Sequence, residues 1–366
     1  MARKLKADNV LFIATILLVA LSLVMVYSAS APIAMSRYGQ ASFFLIKQAM
    51  WAALGLPMLW LLMKVDYRTY REPVFIWTCL GLVTLALVAV LFSAPVNSAR
   101  RWFGLAGIGV QPSEFAKLSS IVFIAAILER RMHRIDDVKY ALLPIGLVVI
   151  ALVGLILLEP DFGTAMSLVL IAAAMVFAAG LNYQYVVGAF LAAIPAVYIL
   201  AMGAPYRRRR LMSFLNPWDD PLGDGFQIIQ SLIAVGTGGV WGRGLMNGVQ
   251  KLFYLPEPHT DFIYSVIAEE LGLIGATAVI VCFVIITWRG MRAAMRAPDS
   301  FGAFLAIGLT TMIAVQALVN ISVVLGLMPT KGMPLPFVSQ GGSSLLVNLI
   351  GMGMLLNVSQ HASPEV

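Results

Sequence analysis

Long apolar runs alternate with short polar segments along the whole chain. Ten runs approach or exceed the length of about 20 residues that a membrane-spanning helix needs, and they cover residues 10–30, 43–63, 73–93, 113–129, 140–158, 163–180, 183–203, 262–287, 301–326 and 342–358. The pattern therefore predicts an all-α polytopic membrane protein with about ten transmembrane helices, forming a single domain over residues 1–366. An even number of spans places both termini on one side.

The longest polar segment, residues 204–261, separates the seventh run from the eighth and is rich in proline and glycine. Long loops of this kind are more often functional than idle. Within it, FQIIQSLIAV (226–235) places Phe226, Ile229 and Ile233 on one helical stripe. This spacing predicts a short interfacial or re-entrant helix, which is tolerated at membrane depth when protein covers it.

Composition indicates the class of protein, and the distribution of charge indicates its orientation in the membrane. Sixty per cent of the residues are hydrophobic and 12% are charged, which excludes an ordinary soluble domain. With the N-terminus in the cytoplasm, the cytoplasmic segments hold 13 of the 25 lysines and arginines, and six others lie in 204–261, which is long enough to be exported despite its charge. The short loops thus favour N-in and C-in, with 204–261 outside.

Three local features have simpler interpretations than their appearance suggests. The N-terminal MARKLK, its apolar run and SASAP imitate a signal peptide, but the run is long enough to span, so we expect an uncleaved first helix and keep cleavage as the alternative. GTGGVWGRG (236–244) lacks the lysine and the strand–loop–helix context of a nucleotide site, so we interpret it as a flexible turn and expect no nucleotide. Both cysteines lie in apolar runs, where neither a disulfide nor zinc is expected.

Polar clusters recur at the helix ends that this topology places outside. They are GVQPSEFAKL (109–118), LEPDFGT (158–164), YRRRRLMSFLNPWDDPLGDG (206–225), PEPHTDF (256–262) and PTKGMPLPFVSQGGSS (329–344). Their convergence on one side of the membrane is more informative than any one motif and predicts a polar site there.

Each cluster also has a purely structural interpretation. Glu114 and Lys117 share a helix face and can form a structural ion pair. The run Arg207–Arg210 suits either lipid headgroups or a phosphate ligand, since guanidinium matches phosphate geometry. His259 is either a base or a residue that orients its loop. Three aspartates are interpreted as a solvated turn, with a metal site as the sharper alternative: Asp219, Asp220 and Asp224.

These stretches resemble the SEDS family of bacterial cell-wall proteins, the RodA and FtsW group. The matching segments are QPSEFAKL, EPDFGT, FLNPWDDPLGDGFQIIQSLIAVG, NGVQKLFYLPEPHTDFIYSVIAEELGLIG and LMPTKGMPLPFVSQGGSSLL. NGVQKLFYLPEPHTDF is more similar to the FtsW (division) branch than to the RodA (elongation) branch. One departure is SQGGSS (339–344) where the family usually has SYGGSS, which weakens any role for an aromatic hydroxyl there.

The resemblance implies a peptidoglycan glycosyltransferase that polymerises lipid II, a disaccharide-pentapeptide on undecaprenyl pyrophosphate. It implies a multi-pass protein of the cytoplasmic (inner) membrane with its active site facing the periplasm. It also implies a class B penicillin-binding protein as partner, with other divisome or elongasome proteins, and no nucleic acid. The essential aspartate of the family lies in the HTDF stretch, and in this chain that residue is Asp261.

The chemistry of lipid II polymerisation suits this assignment. Asp261 is expected to take the proton of the attacking sugar hydroxyl as a general base. The leaving diphosphate needs positive charge rather than a proton, which basic side chains or a divalent cation (Mg²⁺ or Mn²⁺) near Asp261 would supply. Direct displacement would invert the donor's α-linkage. The candidate substrate-binding residues are Arg101, Glu114, Lys117, Asp161, Arg207, Arg208, Arg210, His259, Lys331, Ser339 and Ser343.

Glu269 and Glu270 follow Asp261 by eight and nine residues, about 12–14 Å deeper along a continuous helix. At that depth we expect structural intramembrane roles rather than contact with the sugar. Two rival functions remain open from the sequence. One is a lipid II flippase, whose buried charges would line a headgroup path, and the other is a non-catalytic scaffold for the transpeptidase.

Overall fold

The protein is helical almost throughout. The computed structural model describes residues 7–94, 100–105, 108–203 and 205–362. Its helices are α1 (Asn9–Tyr38), α2 (Phe43–Leu62), α3 (Pro73–Val90), α4 (Pro112–Arg131), α5 (Leu143–Leu158), α6 (Phe162–Ala178), α7 (Tyr183–Met202), α8 (Pro205–Leu215), α9 (Phe226–Thr237), α10 (Ile263–Met295), α11 (Ser300–Val324) and α12 (Gly342–His361). A small antiparallel pair of strands, β1 (Phe103–Leu105) with β2 (Ile108–Val110), precedes α4 and adds to the predicted all-α architecture.

Each predicted apolar run coincides with a helix. Among the described residues, seven helical segments are long and apolar enough to cross a bilayer: α1, α2, α3, residues 138–158 ending with α5, α10, α11 and α12. The apolar helix α6 is shorter, at 17 residues. The chain is thus an α-helical polytopic membrane protein, whereas ten spans and the N-in, C-in orientation stay predictions.

Helices α11 and α12 form the centre of the bundle. Within the most apolar stretch of 18 residues in each helix, 67% of the residues of α11 and 83% of those of α12 are buried. The share is 22% for both α2 and α3. Helix α12 packs on α2, and α11 packs on α4, α6 and α10. The central helices therefore form most of the buried interior, while the peripheral ones present apolar side chains outward.

Helix α10 is broken at Gly272, whose φ of 67° and ψ of −166° are not helical. The Tyr264 hydroxyl donates to the carbonyl of Ala276 at 3.3 Å, although a continuous helix would separate these residues by about 18 Å. The two parts, residues 263–271 and 273–295, therefore differ in direction. Glu269 and Glu270 both precede the break, so the depth of about 12–14 Å predicted for them stays a prediction.

The glycine-rich loop after α9 fills this break. The backbone N–H groups of Arg243 and Gly244 donate to the carbonyls of Glu269 and Glu270, each at 3.0 Å, and the first two N–H groups after the break donate back to the loop at 2.9 and 3.3 Å. These are the groups that a helix end leaves without partners. Gly242, at φ +80°, lies so close to the Glu270 carbonyl that a Cβ would collide with it. Residues 238–241 form a turn, as predicted for 236–244, but these contacts hold it in place, so the expected flexibility is wrong.

The short helix predicted in the long loop is present as α9, although its buried face differs from the prediction. Ile229 is buried as expected, but Ile233 is 37% exposed, and Ser231 lies inside instead. The Ser231 hydroxyl is 2.7 Å from the Ser265 hydroxyl and donates to the Val324 carbonyl at 2.7 Å. These two hydrogen bonds fix the rotation of α9 against α10 and α11, which hydrophobic spacing alone could not predict.

Candidate active site

A polar cavity of about 460 Å³ lies among the polar clusters that the sequence predicts to share one side of the membrane. Its lining includes six of the predicted site residues: Arg101, Glu114, Lys117, Asp161, Arg210 and Asp261. Segments far apart in the chain, from residue 47 to residue 344, thus meet at one site, as the convergence of the clusters predicted.

Asp261 is positioned by α11 and by the segment before α12. Its backbone carbonyl accepts a hydrogen bond from Asn320 Nδ2 at 2.8 Å, and the same amide donates to the Met333 carbonyl at 2.7 Å. Gly332 lies against the carboxylate, since a Cβ there would be 2.8 Å from Asp261 Oδ2. The carboxylate therefore faces the cavity at a fixed place just before α10 begins.

Its surroundings raise the pKa of Asp261 from 3.8 to about 7. Burial is the main cause, and the negative charge of Glu257 adds to it, while Arg210 and Arg101 oppose the shift. A carboxylate with a pKa close to neutral is well matched to accept and release a proton at physiological pH. Perturbation by burial and specific charges is typical of functional groups in a cleft.

Glu114 and Lys117 form the ion pair that their spacing predicted. Lys117 Nζ is 3.0 Å from both Glu114 carboxylate oxygens and also donates to Gln316 Oε1 at 3.0 Å. Both charged side chains are buried against α11 while still bordering the cavity. The pair therefore joins α4 to α11 and forms part of the cavity wall.

Asp161 caps the N-terminus of α6. Its carboxylate accepts from the Thr164 N–H at 3.1 Å, from the Thr164 hydroxyl at 2.8 Å and from Gln111 Nε2 at 2.9 Å. These bonds occupy much of its acceptor capacity. Between aligning helices and binding ligand, the geometry favours alignment for this residue, although it borders the cavity.

Arg101 is held at the cavity by the turn before α6. Its guanidinium donates to the carbonyls of Glu159 and Pro160, at 3.1 and 2.8 Å. The Glu159 carboxyl is buried, and burial together with the charge of Asp161 raises its pKa to about 8. The turn therefore presents one cation to the cavity beside an acid that is mostly protonated at neutral pH.

The run Arg207–Arg210 does not act as one unit. Arg210 borders the cavity and donates to the Thr330 carbonyl at 3.2 Å, whereas Arg208 is exposed and lies outside the cavity lining. The side chain of Arg207 lies outside the described part of the structure. Arg209 pairs at 3.5 Å with Asp224, and both are well exposed.

The acidic stretch after α8 forms a turn. The Asp220 carboxylate accepts the backbone N–H groups of Gly223 and Asp224, at 3.0 and 3.1 Å, and Asp219 accepts from Asn216. Across the described residues, no three His, Cys, Asp or Glu side chains come together as a metal site. The solvated-turn interpretation is thus the one that the geometry favours for these aspartates.

Lys331 and His259 lie next to the cavity lining rather than in it. Burial lowers the pKa of Lys331 to about 8, although Asp161 opposes the shift, and its ammonium lies 4.9 Å from the centre of the Phe162 ring. The His259 ring is buried 4.5 Å from Phe44, and burial lowers its pKa. This shift favours the neutral form of the His259 ring.

The two predicted serines tie loops together. The Ser339 hydroxyl donates to the Thr260 carbonyl at 2.5 Å and accepts the Leu335 N–H at 2.7 Å. Ser343 accepts the N–H of Gln111 at 3.3 Å. Ser339 in particular holds the residue preceding Asp261, so its observed role is to position the carboxylate.

Glu269 and Glu270 hold the long loop in place. Both are fully buried. Glu270 accepts from Lys251 Nζ at 2.6 Å, from the Ser28 hydroxyl at 2.7 Å and from the Met246 N–H at 3.0 Å. Glu269 accepts the Val249 N–H at 2.8 Å. Their acceptor sites are thus filled by the loop and by α1, as the predicted structural role requires.

Comparison with known proteins then decides the family. Residues 8–364 match the family described as "Cell cycle protein", which comprises FtsW, RodA and SpoVE. The chain belongs to the FtsW/RodA/SpoVE family. The resemblance to SEDS proteins seen in the motifs is confirmed.

Relatives within the FtsW/RodA/SpoVE family cover nearly the whole chain. A "Probable peptidoglycan glycosyltransferase FtsW" of Geobacter sulfurreducens is 44% identical over 96% of this chain and 95% of that protein. "Stage V sporulation protein E" of Bacillus subtilis is 42% identical over 98% and 99%. These similarities agree with the predicted proximity to FtsW.

Solved structures of the family share the fold. A chain from "Structural coordination of polymerization and crosslinking by a peptidoglycan synthase complex" has a TM-score of 0.78 and 32% identity, covering 96% of this chain and 97% of that one. The rod shape determining protein RodA of Thermus thermophilus has a TM-score of 0.72 and 28% identity, covering 98% of each chain.

Several cavity residues were missed by sequence reasoning. Lys47 was available as a signal, because it lies inside an apolar run, where a charge is costly and usually functional or paired. Gln111, Glu257 and Gln340 lie within the polar clusters 109–118, 256–262 and 329–344, but only the meeting of distant segments shows that they share one cavity. The additional polar and aromatic lining residues include Lys47, Trp51, Gln111, Glu257, Gln316 and Gln340.

Proposed function

We propose that this member of the FtsW/RodA/SpoVE family is a peptidoglycan glycosyltransferase that polymerises lipid II into glycan strands. The observation that carries the proposal is Asp261, a carboxylate with a pKa raised to about 7 that faces a cavity also bordered by cations. The relative from Geobacter sulfurreducens, whose name states this activity, supports it.

Asp261 acts as the general base in this proposal. The hydroxyl oxygen of the acceptor sugar attacks the anomeric carbon of the donor, and its proton passes to the Asp261 carboxylate. The bond from that carbon to the diphosphate breaks with its electron pair leaving on the diphosphate. One displacement inverts the configuration at the anomeric carbon.

Arg101 and Arg210 supply the positive charge. Both border the cavity, and both act electrostatically on Asp261. A fixed guanidinium stabilises the charge that develops on a departing diphosphate. Lys117 contributes less, because its charge is already balanced by Glu114 at 3.0 Å.

The proposal includes a divalent cation, Mg²⁺ or Mn²⁺, that protein and substrate would hold together. The described residues provide no three-ligand cluster, but Mg²⁺ often binds through one or two carboxylates together with substrate phosphates. In this cavity the diphosphate would complete such a site near Asp261. We assign no catalytic step to the cation, and activity after chelation and re-addition of Mg²⁺ tests its need.

The topology and the partner are part of the same proposal. Ten helices with both termini inside would place Asp261 at the periplasmic face of the cytoplasmic membrane. A class B penicillin-binding protein would cross-link the strands, and the structural relative taken from a peptidoglycan synthase complex supports such a partner. Co-purification with a class B transpeptidase tests the pairing.

Purified protein with fluorescent lipid II tests the activity. We expect glycan strands from the wild type and none from Asp261→Asn, with strands retained in Asp224→Asn, whose carboxylate lies in an exposed pair with Arg209. Transfer of lipid II between leaflets without polymer would indicate a flippase instead. Normal strand synthesis by Asp261→Asn would refute the assigned base, and unchanged growth with that variant would indicate a scaffold.

A further inference from the structure

Residues 240–254 of the long loop expose apolar side chains on the protein surface. Large apolar side chains point outward, with exposed fractions between 46% and 82% for the most prominent ones: Val240, Trp241, Leu245, Leu252, Phe253 and Tyr254. A patch of this kind on a protein surface marks contact with a membrane or with another protein.

The two charged side chains of the same segment pair with buried glutamates. Lys251 is buried and pairs with Glu270 at 2.6 Å, whereas Arg243 is 39% exposed and lies 3.8 Å from the buried Glu269. The segment contains no other charged residue. A water-facing loop has the opposite arrangement, because charged groups favour water and apolar groups avoid it.

The depth of the segment follows from its hydrogen bonds to α10. It is attached on both sides of the break at Gly272. From Leu273 to Trp288 the helix rises about 23 Å, less than the ~30 Å of a hydrocarbon core. Exposed Trp288 and the following Arg289 are residue types that mark a membrane boundary. With Trp288 at the inner boundary, the break lies roughly 7 Å inside the outer one.

We propose that residues 240–254 form a lipid-facing anchor that lies in the outer leaflet, between headgroups and acyl chains. The apolar surface is continuous with the outward face of α10, where Leu273 and Ile274 are also more than half exposed. Trp241, Phe253 and Tyr254 are the aromatic types that favour this zone. The anchor sets the height of the loop that ends at Asp261.

Single-cysteine labelling of the full chain in phospholipid nanodiscs tests the depth. In a background with Cys79→Ser and Cys282→Ser, a fluorophore is placed by Trp241→Cys or Phe253→Cys. The matched control is Trp218→Cys, because Trp218 is also exposed but precedes Asp219 and Asp220. Quenching is measured with lipids brominated on their acyl chains and with aqueous iodide.

We expect brominated lipids to remove most of the fluorescence at positions 241 and 253 and little at 218, and iodide to act in the reverse order. Two different positions guard against a variant that fails to fold. Strong iodide quenching at 241 and 253 with no effect of brominated lipids would overturn the proposal and indicate a water-exposed surface for a protein partner. Equal responses at all three positions would also overturn it. The measurement needs no enzymatic activity.

Discussion

Replacing Asp261 by asparagine should stabilise the fold at alkaline pH and should also remove the proposed catalytic base. The pKa of Asp261 rises from 3.8 to about 7 in the folded protein, because burial and Glu257 disfavour the ionised form. Since the folded-state pKa lies above the unfolded one, folding favours the protonated carboxyl. Its contribution to stability is therefore fully present below pH 3.8 and is lost as the pH rises to about 7.

The size of the effect follows from the shift. About three pKa units correspond to ~4 kcal/mol at 1.36 kcal/mol per unit. Because the carboxylate is partly exposed, solvent screening makes the expected difference in the free energy of unfolding smaller than this. Asparagine cannot ionise, so we expect Asp261→Asn to be about 1–2 kcal/mol more stabilising at pH 8 than at pH 5.

Thermal unfolding of the purified protein at pH 5, 6, 7 and 8 measures this difference, with Asp224→Asn as the control. Asp224 lies in an exposed pair with Arg209 at 3.5 Å, and such pairs contribute little, so its variant should follow the wild type at each pH. If Asp261→Asn is no more stable than the wild type at pH 8, or if the difference does not change with pH, the inferred burial of this carboxylate is wrong.

The titration of Asp261, with a pKa of about 7, should also appear in the rate of polymerisation. At low substrate concentration the rate should fall roughly tenfold from pH 8 to pH 6. Initial rates that do not change with pH would contradict the role of Asp261 as general base. Lys251→Met should cost about 3–5 kcal/mol by leaving Glu270 charged and buried, and Lys251→Met with Glu270→Gln should recover part of it. A double-mutant cycle by thermal unfolding that gives no coupling energy would exclude a stabilising ion pair between Lys251 and Glu270. Gly332→Ala places a methyl against Asp261 Oδ2 and should lower kcat more than it changes KM, whereas Gly81→Ala, where a Cβ meets nothing within 4 Å, serves as the neutral control.

The sequence could predict features that depend on neighbours in the chain. Glu114 and Lys117 are three residues apart on one helix, and the pairing follows from that spacing. Lys251 and Glu270 are 19 residues apart across a loop, and nothing in the local sequence selects that pairing. Gly272 was equally hidden, because a glycine within a run of spanning length is compatible with a continuous helix.

Hydrogen bonding decides why three carboxylates within ten residues have different roles. Glu269 and Glu270 are surrounded by donors that the protein itself supplies, namely loop N–H groups, Ser28 and Lys251. Carboxylates satisfied in this way hold structure and have little capacity left for a ligand. Asp261 instead faces the cavity, where the hydroxyl of a substrate would be its partner. The loop that these glutamates hold leads on to Asp261, so the two satisfied carboxylates help to place a third whose own burial disfavours its charge.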